Sequence, residues 1–439
     1  MSNFPDGTLA LDKSCQISKP SSNYRWGAVA LCCGMVTICY IDRVNLAVTA
    51  STLMKTFNLS STQMGVLMSA FFWSYVLVMI PLGEVINRWG PKVVGFWSCL
   101  GWGLATVMVA VVTGFKSLLT VRVFLGVAES PAYPVSARVV SVWVPVRERT
   151  FSSAAFDSCS RLGNGIAPPL VVWIMLHWGW QVSFVVTGVI AIVYSFIFKF
   201  KYHEPDDHPK VTPSELAYIR QDEVVTEDGT VEKPKLIPLL QLFTYPRMIL
   251  VCVGAFCYSY YWTNFNMWVP AYLVKAKGFN LEAMGIAAMI PYIAGVSMEV
   301  LGGYVMDIWN RRGASINTLR RTGLGVCMLL TGGTLYLAVN SNDPTMIVLW
   351  LTASMGIFSF GAGNKWSIPS DIAPYGQGGG IASVMNMVGN IGSIIAPVLT
   401  GFLASGSLGY NGGFIAMAGI AVLGALAYLV NDYSRLVPK

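Results

Sequence analysis

Twelve runs of about twenty mostly apolar residues punctuate the chain, each long enough to cross a hydrocarbon layer as an α-helix. In the first half they begin near Trp26, Met64, Val93, Leu118, Phe151 and Val182. In the second half they begin near Ile249, Ala283, Thr322, Thr345, Ile381 and Phe414. We number these predicted helices 1 to 12. The two sets of six are separated by a polar stretch containing EPDDHPK and EDGTVEKPK, which suits an exposed loop. The pattern predicts an all-α integral membrane fold of two six-helix bundles. A tail covers 1–25, a first bundle 26–200, a loop 201–244, a second bundle 245–432 and a tail 433–439.

Basic residues give the orientation. Alternate loops carry Arg88 and Lys92, then Arg138, Arg147 and Arg149, then Lys199 and Lys201, then Arg311, Arg312, Arg320 and Arg321. The opposite loops carry Lys55, Lys116, Lys275 and Lys277. Lys and Arg accumulate on the cytoplasmic side of membrane proteins. Both termini and the central loop are therefore expected in the cytoplasm, with a bacterial inner membrane as the setting. The first twenty-odd residues are polar and the first apolar run is full length, so a cleavable leader is not expected.

Composition agrees with this solvent. Hydrophobic residues make up 54% and charged residues 12%, against about 25% charged in soluble domains. The net charge of +7 reads as a topology signal, and nucleic acid is not an expected partner. The nine cysteines are mostly inside apolar runs and show no metal-ligand spacing, so they read as small buried apolar residues. Neither a phosphate-binding loop nor a nucleophile–base or metal-hydrolase motif is present. ATP-driven transport and enzyme activity are therefore not expected.

The halves repeat one another. Gly83 opens the loop after helix 2 with Asn87-Arg88, and Gly303 opens the loop after helix 8 with Asp307. Helix 5 carries Gly163-Asn164-Gly165-Ile166-Ala167-Pro168, and helix 11 carries Gly389-Asn390 followed by Ile395-Ala396-Pro397. The offsets, 220 and 226 residues, nearly agree. Parallel six-helix repeats with a site at the membrane midplane between them are a transporter plan. Chance recurrence in glycine-rich helices is the plainer alternative.

The segment PLGEVINRWGPKVVG resembles the signature loop of the major facilitator superfamily, in which Gly83, Arg88, Gly90 and Lys92 match and Asn87 replaces the usual Asp. The resemblance gives these five residues a gating role. Two further motifs narrow it. Helix 1 reads Cys39-Tyr40-Ile41-Asp42-Arg43-Val44-Asn45, and helix 4 reads Arg122 through Glu129-Ser130-Pro131. Together they resemble the anion:cation symporter family, which includes galactonate, hexuronate, glucarate and phthalate carriers.

An ionisable group at the bilayer centre costs about 2.5–3.5 kcal/mol on insertion scales. Those in the apolar runs should therefore face a shared cavity and one another. Arg122 and Glu129, seven apart, share a helix face, as do Asp42 and Asn45, three apart. The resemblance makes Asp42 and Glu129 the proton-coupling acids and Arg122 the partner that modulates Asp42. It gives Tyr40 and Arg43 substrate contacts, the Arg fork gripping a carboxylate, and Asn45 is expected at the substrate beside them. The plainer alternative is a fixed Asp42–Arg122 pair locking helices 1 and 4. By the same resemblance Trp366 and Asn386 sit at substrate positions, where the alternatives are an interfacial anchor and a link between helices. Arg161 stands where sugar-acid carriers often have Gln, and Lys365 adds another charge beside Trp366. Both suit a second carboxylate, unless Asp157, four residues before Arg161, neutralises it. Glu299 is expected to pair with Lys365 or to face solvent.

The leading expectation is a monomeric, proton-coupled importer of a small organic anion, with protons as coupling ion and no other cofactor. Sugar acids come first, aromatic and dicarboxylic acids second. A proton-independent or sodium-coupled carrier or exchanger, and a membrane nutrient sensor, are the competing expectations.

Overall fold

The computed structural model describes residues 22–220, 239–373 and 378–436. Helix 1 is Tyr24–Thr56. The segment Ser61–Met108 runs on as one helix bent at Gly90, where φ is +74°, so it supplies helix 2 (61–89) and helix 3 (91–108). A positive φ is open to glycine at little cost, and Pro91 then starts the next crossing without needing a backbone N–H. Helix 4 is broken in two, Phe115–Glu129 and Ala132–Trp143. Helix 5 is Val146–Trp178 and helix 6 is Trp180–Lys201.

The second half follows the same course. Helix 7 is Pro246–Lys275 and helix 8 is Leu281–Arg311. Helix 9 starts as Ile316–Arg320, passes through a π-helical stretch Arg321–Val326 and ends as Cys327–Asn340. Helix 10 is broken like helix 4, into Pro344–Phe360 and Ala362–Ile372. Helix 11 is Gly378–Ala404 and helix 12 is Gly409–Val430. Twelve crossings in two similar sets of six make this a multi-pass membrane protein.

Each helix begins a few residues before the first strongly apolar position. The extra residues are caps and polar first turns. Ser60 accepts from the Gln63 N–H and Gln63 returns the bond to Ser60. Asn280, Ser315 and Asp343 cap helices 8, 9 and 10 by accepting from the N–H three residues on, without the return bond. Such caps satisfy amide groups that have no partner inside the helix.

Among the described residues, nine helical stretches are long and apolar enough to cross a membrane by themselves. Helices 4, 5 and 7 are the others. Helix 4 is interrupted at Pro131, while helices 5 and 7 carry many polar side chains on one face.

The segment between the halves is not wholly an open loop. Pro213–Ile219 forms a short helix that docks under helix 1. The fully buried Glu215 accepts from the Arg25 N–H at 3.1 Å, and Arg25 also pairs with Glu148 at 2.9 Å. Residues 221–238 of the predicted loop lie outside the described residues.

Helix 2 packs on helix 11, helix 5 on helix 8, and helix 1 on helix 7. The closest approaches lie toward the side where helix 1 ends and helix 2 begins, opposite the two termini. There Ser61 bonds Tyr410 at 3.1 Å, Thr62 bonds Ser405 at 3.1 Å, and Ser69 donates to the Ile394 carbonyl at 2.6 Å.

Candidate substrate cavity

A central cavity enclosing about 1070 Å³ of empty space, open solvent at its mouth included, lies between the halves. Helix 1 presents Tyr40 and Arg43 to it, three residues apart and so on one face. Helix 5 presents Asp157, Ser160, Arg161 and Asn164 at helical spacing. Lys365 of helix 10 and Asn386 and Asn390 of helix 11 stand on the other wall.

Arg43 connects the cavity to an acid behind it. Its guanidinium lies 4.8 Å from the centres of the Tyr40 and Phe71 rings and 5.3 Å from that of Tyr75. Its Nε pairs with the Glu129 carboxylate. Glu129 is fully buried and sits at the last residue before helix 4 breaks. Its paired oxygen also accepts from the Cys39 thiol at 2.8 Å, while its other oxygen lacks a partner. Arg122 shares the helix face of Glu129, as the spacing requires. Its guanidinium lies 5.2 Å from the Phe71 ring centre, so that ring is flanked by two cations.

Asp42 is 2% exposed and points into the first bundle. Neither of its oxygens has a hydrogen-bond partner at normal distance, and the Thr106 and Thr187 hydroxyls are the polar groups beside it. The ion pairs described for this half do not join it to Arg122; the pair that forms is Arg43 with Glu129. Asn45, expected beside the substrate, is fully buried elsewhere. Its amide donates to Thr187 at 3.0 Å and its oxygen accepts from Ser183 at 3.1 Å, which ties helix 1 to helix 6. It shares a face with Asp42, and that face looks away from the cavity.

Arg161 is held across the halves. Its Nη1 pairs with Glu299 of helix 8 at 2.6 Å and stands 3.7 Å from Asp157. Glu299 therefore finds its cation on the other half and is largely withdrawn from solvent. Lys365 lies 4.5 Å from the Tyr258 ring centre. The side chains of Trp366 and Asn87 and the surroundings of Gly83 fall outside what is described. Arg88 is exposed and Lys92 half-buried, either side of the bend at Gly90.

The cavity face of helix 7 was not anticipated. Tyr258, Trp262 and Asn266 recur every fourth residue and line the cavity. The available signal was the run Tyr258 to Asn266, too rich in aromatic and polar groups for a helix facing lipid. Asn164 and Asn390 are the two Gly-Asn asparagines of the repeat, and both reach the cavity. Asn164 is fully buried, and neither its oxygen nor its nitrogen has a partner. An unpaired buried amide costs about 1–3 kcal/mol, which a ligand hydroxyl would recover. Asn164→Leu is expected to weaken ligand binding about tenfold without lowering the melting temperature, because no protein partner is lost. Titration and thermal unfolding of the two proteins check this; a lower melting temperature with unchanged affinity would make Asn164 a packing residue.

Residues 32–396 match the model of the Major Facilitator Superfamily. A D-galactonate transporter of Escherichia coli O6:H1 is 34% identical over 412 residues, which cover 91% of this chain and 94% of that one. The "Probable galactarate/D-glucarate transporter GarP" of Escherichia coli K12 is 32% identical over 412 residues, covering 90% and 92%. A hexuronate transporter of Bacillus subtilis is 28% identical over 397 residues, covering 89% and 90%. Among solved structures, a bacterial homologue of the human lysosomal transporter Spinster superposes with a TM-score of 0.74 at 17% identity, over 93% of this chain and 97% of that one. Two six-helix sets around a charged central cavity, matched over most of their length by one family model, settle the classification: this chain belongs to the Major Facilitator Superfamily.

Proposed function

We propose that the chain is a proton-coupled importer of a small organic anion, a sugar acid, working by alternating access as a monomer in a bacterial inner membrane. Both termini then lie in the cytoplasm, as the Lys and Arg distribution suggests, and the bundles 26–200 and 245–432 rock about the cavity. The relatives named for galactonate, galactarate or glucarate, and hexuronate support a sugar acid as cargo.

The observation that carries this reading is the position of Arg43. It lines the cavity with one side of its guanidinium and pairs with the buried Glu129 through Nε. A substrate carboxylate and the Glu129 carboxylate thus compete for one cation. A proton on Glu129 removes the internal competitor and frees Arg43 for substrate. Loss of that proton restores the internal pair and expels the anion. Asp42, buried without a partner, is the second acid able to carry a proton through the cycle. Arg122 adds positive charge near Glu129 from the same helix. The loop of Gly83, Asn87, Arg88, Gly90 and Lys92 is assigned the gate on the terminus side, with the bend at Gly90 as its fixed point.

Uptake into proteoliposomes from a panel of organic acids, under an imposed pH gradient acid outside, tests this. Accumulation above the external concentration, collapsed by a protonophore, is expected for at least one sugar acid. Uptake that equilibrates without accumulating and ignores the protonophore would replace symport by facilitated exchange.

A further inference from the structure

We infer that Glu299 is a built-in substitute for the second acid group of the transported anion, and that Arg161, the cation it holds, gives a preference for anions acidic at both ends, which Glu299 moderates by competing for that cation. The inference rests on the proposed organic-anion transport and adds a specificity to it.

Two guanidiniums face the cavity, and one aromatic pair separates them. Arg43 lies 4.8 Å from the Tyr40 ring centre and Arg161 lies 5.2 Å from the Trp262 ring centre. The two rings meet edge-on with centres 6.5 Å apart. The cations therefore stand at opposite ends of one aromatic ledge on the cavity wall. Each is held by an internal carboxylate: Arg43 by Glu129, Arg161 by Glu299. The wall has the form of two cation sites, both already occupied by acids of the protein.

Burial gives this arrangement its consequence. The Arg161 side chain is 4% exposed and that of Glu299 14%. A guanidinium withdrawn from water needs an anion beside it. A ligand carboxylate can take the place of Glu299 with the charge at Arg161 still balanced. A ligand ending in a hydroxyl cannot, so it leaves the Arg161–Glu299 pair intact and gains nothing from Arg161. Asp157 at 3.7 Å and Ser359 at 3.4 Å from Arg161 keep the guanidinium in place when Glu299 leaves.

The pair also joins the halves. Arg161 is on helix 5 and Glu299 on helix 8, and it is the one such link among the described ion pairs. Along these two helices, close approaches run from Gly285 against Val172, through Gly165 against Tyr292, to Gly295 against Arg161. The ion pair lies beyond these three approaches, toward the termini. A diacid that takes Arg161 therefore releases a link between the halves as it binds.

The test compares a six-carbon sugar acid with one carboxylate, an aldonate, and one with two, an aldarate. Affinities are read from ligand-dependent thermal shifts of the purified full-length protein, which also report whether each variant is folded. Wild type is expected to bind the aldarate more tightly. Glu299→Gln, nearly isosteric and unable to balance the charge of Arg161, should raise the aldarate-to-aldonate affinity ratio about tenfold. Arg161→Gln should bring that ratio to about one. A wild-type ratio at or below one, or a ratio that Glu299→Gln leaves within twofold of wild type, overturns the inference and leaves anion transport standing. Binding of neither acid by wild type overturns both. Should Arg161→Gln not fold, the Glu299→Gln ratio decides alone.

Discussion

Glu129→Gln is expected to abolish pH-driven accumulation while retaining exchange of substrate across the membrane. The amide keeps the volume of the side chain and still offers an oxygen to the Cys39 thiol and the Arg43 Nε–H, so the local packing is maintained. What it loses is the charge and the proton. Arg43 is then permanently available to a substrate carboxylate, and no internal anion competes with it. Hydrogen bonds to charged groups contribute about 1.5–3 kcal/mol, so substrate should bind roughly 10- to 150-fold more tightly. The same change removes the step that expels substrate when a proton departs. Counterflow between labelled and unlabelled substrate should persist, because it needs only rocking of the loaded carrier. The accumulation ratio under a pH gradient, acid outside, should fall to about one. Proteoliposomes loaded with unlabelled substrate for counterflow, and empty ones for net uptake, separate the two quantities. A mutant that still concentrates substrate as wild type does would move the coupling away from Glu129 and toward Asp42.

The legible part of the site follows from the cost of charge in lipid. That cost drew attention to Asp42, Arg43, Arg122, Glu129, Asp157, Arg161, Glu299 and Lys365; Asp157 and Glu299 are partly buried and the others buried. Their pairing was not legible. Helical spacing fixes which residues share a face of one helix, but not which neighbouring helix that face meets. Asp42 was therefore matched with Arg122, whereas the structure pairs Arg43 with Glu129. Asn45 shared the face of Asp42 correctly, yet that face meets helix 6 and not the cavity. Glu299 lies 138 positions from Arg161 in sequence, and nothing local announces their contact.

The fold was legible for a related reason. Lipid admits only helices and closed barrels, whose backbone groups are all satisfied internally, so in a chain of long apolar runs a length of about twenty residues almost defines an element. The reading was least secure where helices depart from that rule. Helix 7 hides its role behind aromatic residues that look apolar singly but line the cavity with Tyr258, Trp262 and Asn266. Helices 4 and 10 break near their middles, at Pro131 and at Gly361. These breaks occupy corresponding places in the two halves. The one in helix 4 puts the Glu129 side chain at a helix end, inside the protein, where it pairs with Arg43.

Gly65→Val is expected to drive the halves apart on the side where they now touch. A side chain at Gly65 would strike the Pro397 carbonyl, with its carbon 3.1 Å and the Gly401 Cα 3.3 Å from the new Cβ. Gly401 meets helix 2 just as closely, since a Cβ added there would fall 3.2 Å from the Gly65 Cα. These are backbone atoms, which cannot turn aside like the end of a flexible side chain, so the helices themselves must separate. Overpacking of this kind costs about 1–3 kcal/mol, enough to shift an equilibrium between two conformations roughly 5- to 150-fold. The state that suffers is the one with helices 2 and 11 in contact. A carrier must visit that state once per cycle, so net uptake should fall at least about tenfold. In parallel, a cysteine placed at Thr62 should react about tenfold faster with an impermeant maleimide when Gly65 is replaced, measured against the native cysteines alone. Gly333 supplies the control, because a Cβ there meets nothing within 4 Å and Gly333→Val should change neither quantity. Wild-type uptake and labelling rates in Gly65→Val would mean that the contact between helices 2 and 11 does not form part of the transport cycle.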